Sequence, residues 1–167
     1  MRDAFNWVLD MDDTLVHFNQ AKDALKKFST EKDFFTNLEP TPLTNYINRH
    51  LQQRTLTPNQ MYIVSASPNL QADKDKLKWI KRHLPDISES NILFTRLGEN
   101  KAEQFKSRYN LSDKDLQSYI LFDDYTKNLT EWKSQGGLAI KIINEYNNTK
   151  QSYKHYNINT LDFTLLW

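Results

Sequence analysis

Five short apolar runs punctuate this chain, and longer stretches of helical period separate them. The runs are Phe5 to Leu9, Met61 to Val64, Asn91 to Phe94, Tyr119 to Phe122 and Leu138 to Ile143. A short apolar run bounded by polar residues is the pattern of a strand buried on both faces. Between the runs, Ala21 to Phe28, Leu43 to Leu51, Leu70 to His83, Lys101 to Tyr109 and Thr126 to Gln135 read as helices. Pro85 falls just after the third of these, and Gly136-Gly137 stops the last. Phe34 to Pro42 reads as a loop with aromatic content. Strands joined through helices need crossovers, so the expected fold is α/β, a mostly parallel sheet with helices on both faces. No repeat, low-complexity tract or linker divides the chain. One domain over 1–167 is expected, with residues 19–42 as a small cap. The tail from Asn144 to Trp167 is polar and then apolar, and Leu165, Leu166 and Trp167 are expected to pack back on the body.

Composition narrows the function. The 167 residues are 38% hydrophobic and 26% charged, which suffices for one core without disulfides or a structural metal. Lys plus Arg total 22 against 21 Asp plus Glu, and a net charge of +1 gives no strong nucleic-acid signal. With no cysteine, thiolate metal sites and Cys nucleophiles are excluded. Of only three glycines, two stand together at Gly136-Gly137, so a Gly-rich phosphate or dinucleotide loop cannot be built. No signal-peptide core and no bilayer-spanning apolar segment is evident, and a cytoplasmic protein with no membrane partner is expected.

Open α/β sheets bind ligands at the carboxyl ends of their strands. Here those ends carry Asp10 and Asp12, Ser65, and Asp123-Asp124. Phosphate monoesters hydrolyse extremely slowly unaided, and a covalent route divides the barrier into two smaller ones. A carboxylate serves as nucleophile if a metal offsets its charge. A second carboxylic acid can protonate the leaving oxygen and later take a proton from water. Positions i and i+2 leave a strand on the same side, which suits Asp10 and Asp12 to those two tasks. Mg²⁺ takes oxygen ligands, and Asp10 with one acid of Asp123-Asp124 offers them from two strands. An Asp-rich turn is by itself only a turn and a helix cap, which is the plain reading of Asp13 and Thr14. It does not account for acids ending two separate strands. The expected chemistry is Mg²⁺-dependent phosphoester hydrolysis, with a carboxylate of the Asp10 and Asp12 pair attacking.

The segment Val8-Leu9-Asp10-Met11-Asp12-Asp13-Thr14-Leu15 resembles the first motif of the haloacid-dehalogenase (HAD) superfamily. Ser65 after Tyr62-Ile63-Val64, Lys101, and Leu121-Phe122-Asp123-Asp124 are similar to the second, third and fourth motifs, in the same order. The resemblance implies a three-layer Rossmann-like fold with a reduced cap. It implies that Asp10 is the nucleophile and Asp12 the acid/base, with Ser65 and Lys101 on the phosphoryl group. Mg²⁺ would be held by Asp10, the Asp12 backbone carbonyl and Asp124, with Asp123 behind them or as the alternative ligand. Within the superfamily, Asp10 to Phe18, Phe34 to Pro40, Ser65-Ala66-Ser67-Pro68, Lys78-Trp79-Ile80 with Pro85, Phe94-Thr95-Arg96 and Asp123 to Leu129 resemble the 5′(3′)-deoxyribonucleotidase family, its short bacterial and bacteriophage members above all. That family removes phosphate from nucleoside monophosphates. The segment between Phe18 and Phe34 is shorter than the helical cap of larger members, and Asp13-Thr14 stands where they carry Gly-Val.

The expected substrate contacts are Phe18, Ser65, Ala66, Ser67 and Lys101. Ser67 rivals Ser65 for the hydroxyl, and Lys106 and Lys114 are weaker alternatives to Lys101. Phe34 and Phe35 read as core, His17 as surface or packing, and Asn128 as a brace for the acid pair or a plain helix-surface residue. The expected partner is a small phosphoester, a nucleoside monophosphate first. A sugar phosphate or a nucleic-acid end is the second substrate class, and a non-catalytic binding module on the same fold is the reading of another class.

Overall fold

Val8 and Leu9 are adjacent and both fully buried, yet they enter different cores. Successive side chains of a strand point to opposite faces, so β1 (Asn6–Leu9) must be covered on both. The same alternation recurs in β2 (Met61–Ser67) as Ile63 and Val64, and in β4 (Tyr119–Asp123) as Phe122 and Leu121. The computed structural model describes residues 5–144, so the expected packing of Leu165, Leu166 and Trp167 lies outside the described residues. With β3 (Ile92–Arg96) and β5 (Leu138–Lys141), the strands form one sheet in the order β3-β2-β1-β4-β5, every pair parallel. The sequence reading of an α/β fold with a parallel sheet is thus what is observed.

One face carries α1 (Ala24–Thr30), a 3₁₀ turn at Phe34–Asn37, α2 (Pro42–Gln52) and α3 (Leu70–His83), packed through Phe28, Phe35, Ile47, Trp79 and Ile80. The other carries α4 (Lys101–Tyr109), α5 (Asp113–Leu116) and α6 (Thr126–Ser134), packed through Phe105, Leu116, Leu129 and Trp132. Caps fix the starts of the helices that bear on the site. The side chains of Thr41, Asn69 and Asn100 accept backbone N–H groups at the first turns of α2, α3 and α4. Gly136, at φ 95, turns the chain out of α6. An added Cβ on Gly137 would sit 2.2 Å from Trp132 Nε1, so the α6–β5 connection admits only glycine there without movement.

Most boundaries differ from the sequence reading by a few residues, and two differences have causes. β2 does not end at Ser65. It continues through Ser67 because Ser65, Ala66 and Ser67 pair with Phe94, Thr95 and Arg96 of β3. The four-residue α5 was not expected. Its signal is a capping box, in which Ser112 accepts from the Asp115 N–H while the Asp115 carboxylate accepts from the Ser112 N–H.

The stretch after β1 is latched to α3. The Asp33 N–H donates to Asp75 Oδ2 (2.7 Å), Trp79 Nε1 to the Leu38 carbonyl (2.7 Å), and Arg82 Nη1 to the Thr36 carbonyl (3.0 Å). Phe18, Phe28, Phe34 and Phe35 form an aromatic cluster, each ring centroid within 5.2–5.9 Å of another. The aromatic loop is therefore a packed wall rather than an open strap.

Candidate active site

Asp10 is the first residue past β1, and its N–H extends the ladder by donating to the Phe122 carbonyl (2.9 Å). The chain then folds back sharply. The N–H groups of Leu15 and Val16 both donate to the Met11 carbonyl, and Asp13 adopts the left-handed conformation at φ 55. Aspartate tolerates that conformation better than most side chains. The Asp13 carboxylate is then held by the backbone N–H and side-chain amide of Asn19. This turn points Asp10 and Asp12 to the carboxyl edge of the sheet.

Lys101 reaches the same place from the first turn of α4. Its buried Nζ donates to Asp10 Oδ1 (2.5 Å) and to Asp123 Oδ2 (2.8 Å). Asp123 is also held by the Tyr125 N–H (2.7 Å, at Oδ1) and by Asn128 Nδ2 (2.9 Å, at Oδ2). Asn128 thus braces the acid pair from α6. Protein donors already occupy both oxygens of Asp123, and it does not line the cavity, whereas Asp124 does.

Asp10, Asp123 and Asp124 each offer an oxygen, all within 4.8 Å of one another. The donor set is oxygen only, which suits a hard cation such as Mg²⁺. Charge points the same way. Asp10, Asp12, Asp13, Asp123 and Asp124 converge against three buried ammonium groups, Lys76, Lys101 and Lys141. Burial pushes the Asp10 carboxyl well above the ordinary carboxylate range, against the pull of Lys101 and with repulsion from Asp123, Asp12 and Asp124. Asp124 is pushed up to about 7, by burial first and then by Asp123 and Asp13. Burial works against the Lys101 ammonium, yet Asp10 and Asp123 outweigh it and raise its pKa above the ordinary lysine value. Excess negative charge with a shared opening is what a divalent cation would relieve.

That opening is a cavity of about 490 Å³ over Asp10, Asp12, Lys101 and Asp124. Phe18 and Phe28 form part of its floor, and Leu25, Leu97 and Tyr125 stand on its rim with 76%, 59% and 60% of their surface exposed. Phe34 and Phe35 back the floor without lining it.

The expectation for the hydroxyl at the end of β2 is corrected. Of Ser65, Ala66 and Ser67, Ala66 alone lines the cavity. Ser65 and Ser67 are fully buried, facing the side of β2 that Ile63 shares. The Ser65 Oγ accepts from Lys76 Nζ (2.7 Å), and the Ser67 Oγ donates to the Asn69 carbonyl (3.3 Å). Ala66, and neither hydroxyl, thus borders the space above Asp10. Lys106 pairs with the exposed Asp113, so it does not compete with Lys101.

Sequence reasoning missed several residues of the site. Lys76 is bonded to Asp12 at 2.8 Å. Its signal was periodicity, since Ala72, Lys76 and Ile80 fall at i, i+4 and i+8 on one buried face of α3. Leu97, Gly98 and Glu99 follow β3, and Tyr125 and Lys127 follow β4, so the strand-end rule applied to every strand would have found them. Phe28 and Leu25 carried no such mark.

Comparison with known proteins fits this geometry. The family described as 5′ nucleotidase, deoxy (Pyrimidine), cytosolic type C protein matches residues 7–159. A search of curated proteins returned no match. Among solved structures, a HAD-superfamily hydrolase from Ehrlichia chaffeensis aligns at 14% identity and TM-score 0.53, covering 84% of this chain and 88% of its own. A HAD family hydrolase from Deinococcus radiodurans R1, with bound phosphate and sodium, aligns at 10% identity and TM-score 0.52, covering 84% and 81%. The N-terminal part of a Bacteroides fragilis protein, containing a phosphatase domain complexed with Mg, aligns at 14% identity and TM-score 0.53, covering 94% of this chain and 41% of that one. These likenesses establish the fold, and the family match extends over most of the sequence. The chain belongs to the cytosolic type C deoxy-5′-nucleotidase family, phosphatases on the HAD hydrolase fold.

Proposed function

We propose that this protein is a Mg²⁺-dependent nucleoside-monophosphate phosphatase, a 5′(3′)-deoxyribonucleotidase that works through an aspartyl-phosphate. The observation that carries the reading is the pairing of Asp10 with Lys101 at the base of a cavity that Asp12 and Asp124 also line. An Asp10 oxygen attacks phosphorus. As the bond from phosphorus to the leaving oxygen breaks, that oxygen keeps the electron pair and takes the proton of Asp12. Water then attacks the phosphorus, Asp12 accepts its proton, and the bond to Asp10 breaks to release phosphate. Lys101 offsets charge on Asp10 and on the phosphoryl oxygens throughout. Asp10, Asp124 and the Asp12 carbonyl would hold Mg²⁺, with Asp123 orienting Lys101 behind them. Bound there, the ion would supply fixed positive charge against the carboxylates and the phosphate.

The apolar part of the rim suits a planar leaving group. Leu25, Leu97 and Tyr125 offer surface to a nucleobase, and Asn19, Glu99 and Lys127 beside them offer hydrogen-bond partners to its polar edge or to the sugar. In this reading the segment 19–42 is the cap of a single domain, contributing Leu25 and Phe28 to the site. No helix among the described residues is long and apolar enough to cross a membrane, and the proposed location is the cytoplasm.

Phosphate release with Mg²⁺ from deoxy- and ribonucleoside monophosphates, sugar phosphates and 3′-phosphorylated oligonucleotides tests the proposal. Highest kcat/KM is expected for a nucleoside monophosphate, with Tyr125→Ala raising KM more than it lowers kcat. Preference for sugar phosphates or oligonucleotide ends would replace the substrate. Unchanged turnover in Asp10→Asn would remove the mechanism.

A further inference from the structure

Lys76 takes no part in the chemistry set out above, yet it is fully buried beside it. An ammonium group is costly to bury, and a methionine of similar length would fill the space without that cost. What the charge provides is three directed hydrogen bonds. Lys76 Nζ donates to Asp12 Oδ2 (2.8 Å), to Ser65 Oγ (2.7 Å) and to the Ala66 carbonyl (2.8 Å), which uses all three of its hydrogens. The rings of Phe28 and Phe35 lie 4.9 and 4.7 Å from the same nitrogen and enclose it. Two of the partners belong to β2, an interior strand of the sheet, and the third to the turn after β1. The ammonium is therefore a strut from a rigid strand to an acid on a turn.

The strut holds one oxygen of Asp12 and leaves the other. Asp12 Oδ1 is buried and has no hydrogen-bond partner among the described residues, while the side chain as a whole keeps 24% of its surface exposed. A carboxylate that rotates freely offers either oxygen in many directions. One fixed at Oδ2 by a charge-assisted hydrogen bond is held in a single orientation. Misplacing a proton donor by a fraction of an ångström slows transfer steeply.

We propose that Lys76 is the positioning residue of the acid/base, fixing the Asp12 carboxyl by Oδ2 in the orientation from which it exchanges the proton with the leaving oxygen and with water. The inference rests on Asp12 being the acid/base. It also gives Ser65 a role, as an anchor for Lys76 instead of a contact for phosphate.

The test is the dependence on leaving group. A nucleoside alkoxide needs a proton to depart, whereas the nitrophenolate of p-nitrophenyl phosphate does not. First-turnover rates of enzyme phosphorylation, with Mg²⁺ present, are measured for a nucleoside monophosphate and for p-nitrophenyl phosphate. Lys76→Met is expected to slow the nucleotide by about 10²-fold, the lower end of what general acid catalysis supplies, and p-nitrophenyl phosphate by less than about threefold. KM for both should stay within about twofold. In an Asp12→Asn background, Lys76→Met should add no further loss with the nucleotide. Equal slowing of both substrates, or an additive loss in the double variant, would overturn the proposal. If circular dichroism shows Lys76→Met unfolded, Ser65→Ala carries the same contrast at smaller size, and equal slowing there is the contrary result. If Asp12→Asn itself shows no leaving-group contrast, the assignment of the acid fails, and the role of Lys76 with it. If Asp12→Asn shows the contrast and Lys76→Met does not, only the role of Lys76 fails.

Discussion

At the scale of single residues, the site is a small set of buried charges that stabilise one another. Lys101 alone bridges Asp10 and Asp123. Removing one partner of a buried ion pair costs about 3–5 kcal/mol, because the remaining charges stay desolvated and unpaired. Lys101→Met should lower the free energy of unfolding by about that much, measured by urea denaturation, and abolish detectable turnover; wild-type stability would mean that the bridge does not form. The acids Asp10, Asp12, Asp123 and Asp124 and the cation Lys101 were legible because each falls at a strand end or a helix start beside one. Lys76 was not, because a lysine in a helix is solvated by default, and only its place between Ala72 and Ile80 marks it as buried. The Ser65 hydroxyl was misplaced for a related reason. A run of Ser-Ala-Ser reads as a strand end by polarity, but pairing with β3 carries the strand on and turns both hydroxyls away from the cavity.

Among the elements, α3 does two jobs: its buried face carries Lys76 to Asp12, and its side holds the aromatic turn that walls the cavity. Its last turn contains His83, whose ring lies 4.3 Å from that of Trp79. Burial, aided by Arg82 and opposed by Glu39, lowers the His83 pKa from the ordinary 6.5. The unfolded chain then binds the proton more readily than the folded one. The contribution of His83 to stability is fully present above pH 6.5 and is lost as pH falls towards its lower folded value. Replacing His83 with Gln should flatten the fall in urea midpoint between about pH 7 and pH 5.5 relative to wild type. An unchanged slope would show that the ring is equally solvated in both states. The strands and long helices were legible at this scale because their apolar periods are strong. The 3₁₀ turn at Phe34–Asn37 was not, since it is set by contacts with α3 that are distant in sequence.

For the whole molecule, the parallel sheet brings acids from β1 and β4 and a lysine from α4 to one edge, with a surplus of negative charge. In the proposed function such a site would be completed by a cation. Mg²⁺ at 100 times its dissociation constant should stabilise the protein by about 2.7 kcal/mol, seen as a rise in Tm, and EDTA should abolish phosphate release until Mg²⁺ is restored. Turnover that persists in EDTA would contradict a metal-dependent reaction. The fold and the chemistry of the edge were legible in the order of strand-end residues. The place of Leu25 on the rim was not, because only the fold brings its segment beside Leu97 and Tyr125. The central claim is that Asp10 carries the phosphoryl group between substrate and water. It is tested most directly by quenching the enzyme in acid during turnover of a nucleoside monophosphate, reducing acyl-phosphates with borohydride and locating the modified residue by mass spectrometry. Asp10 converted to homoserine is the predicted result; turnover with Asp10 unmodified, or with another residue reduced in its place, would contradict it.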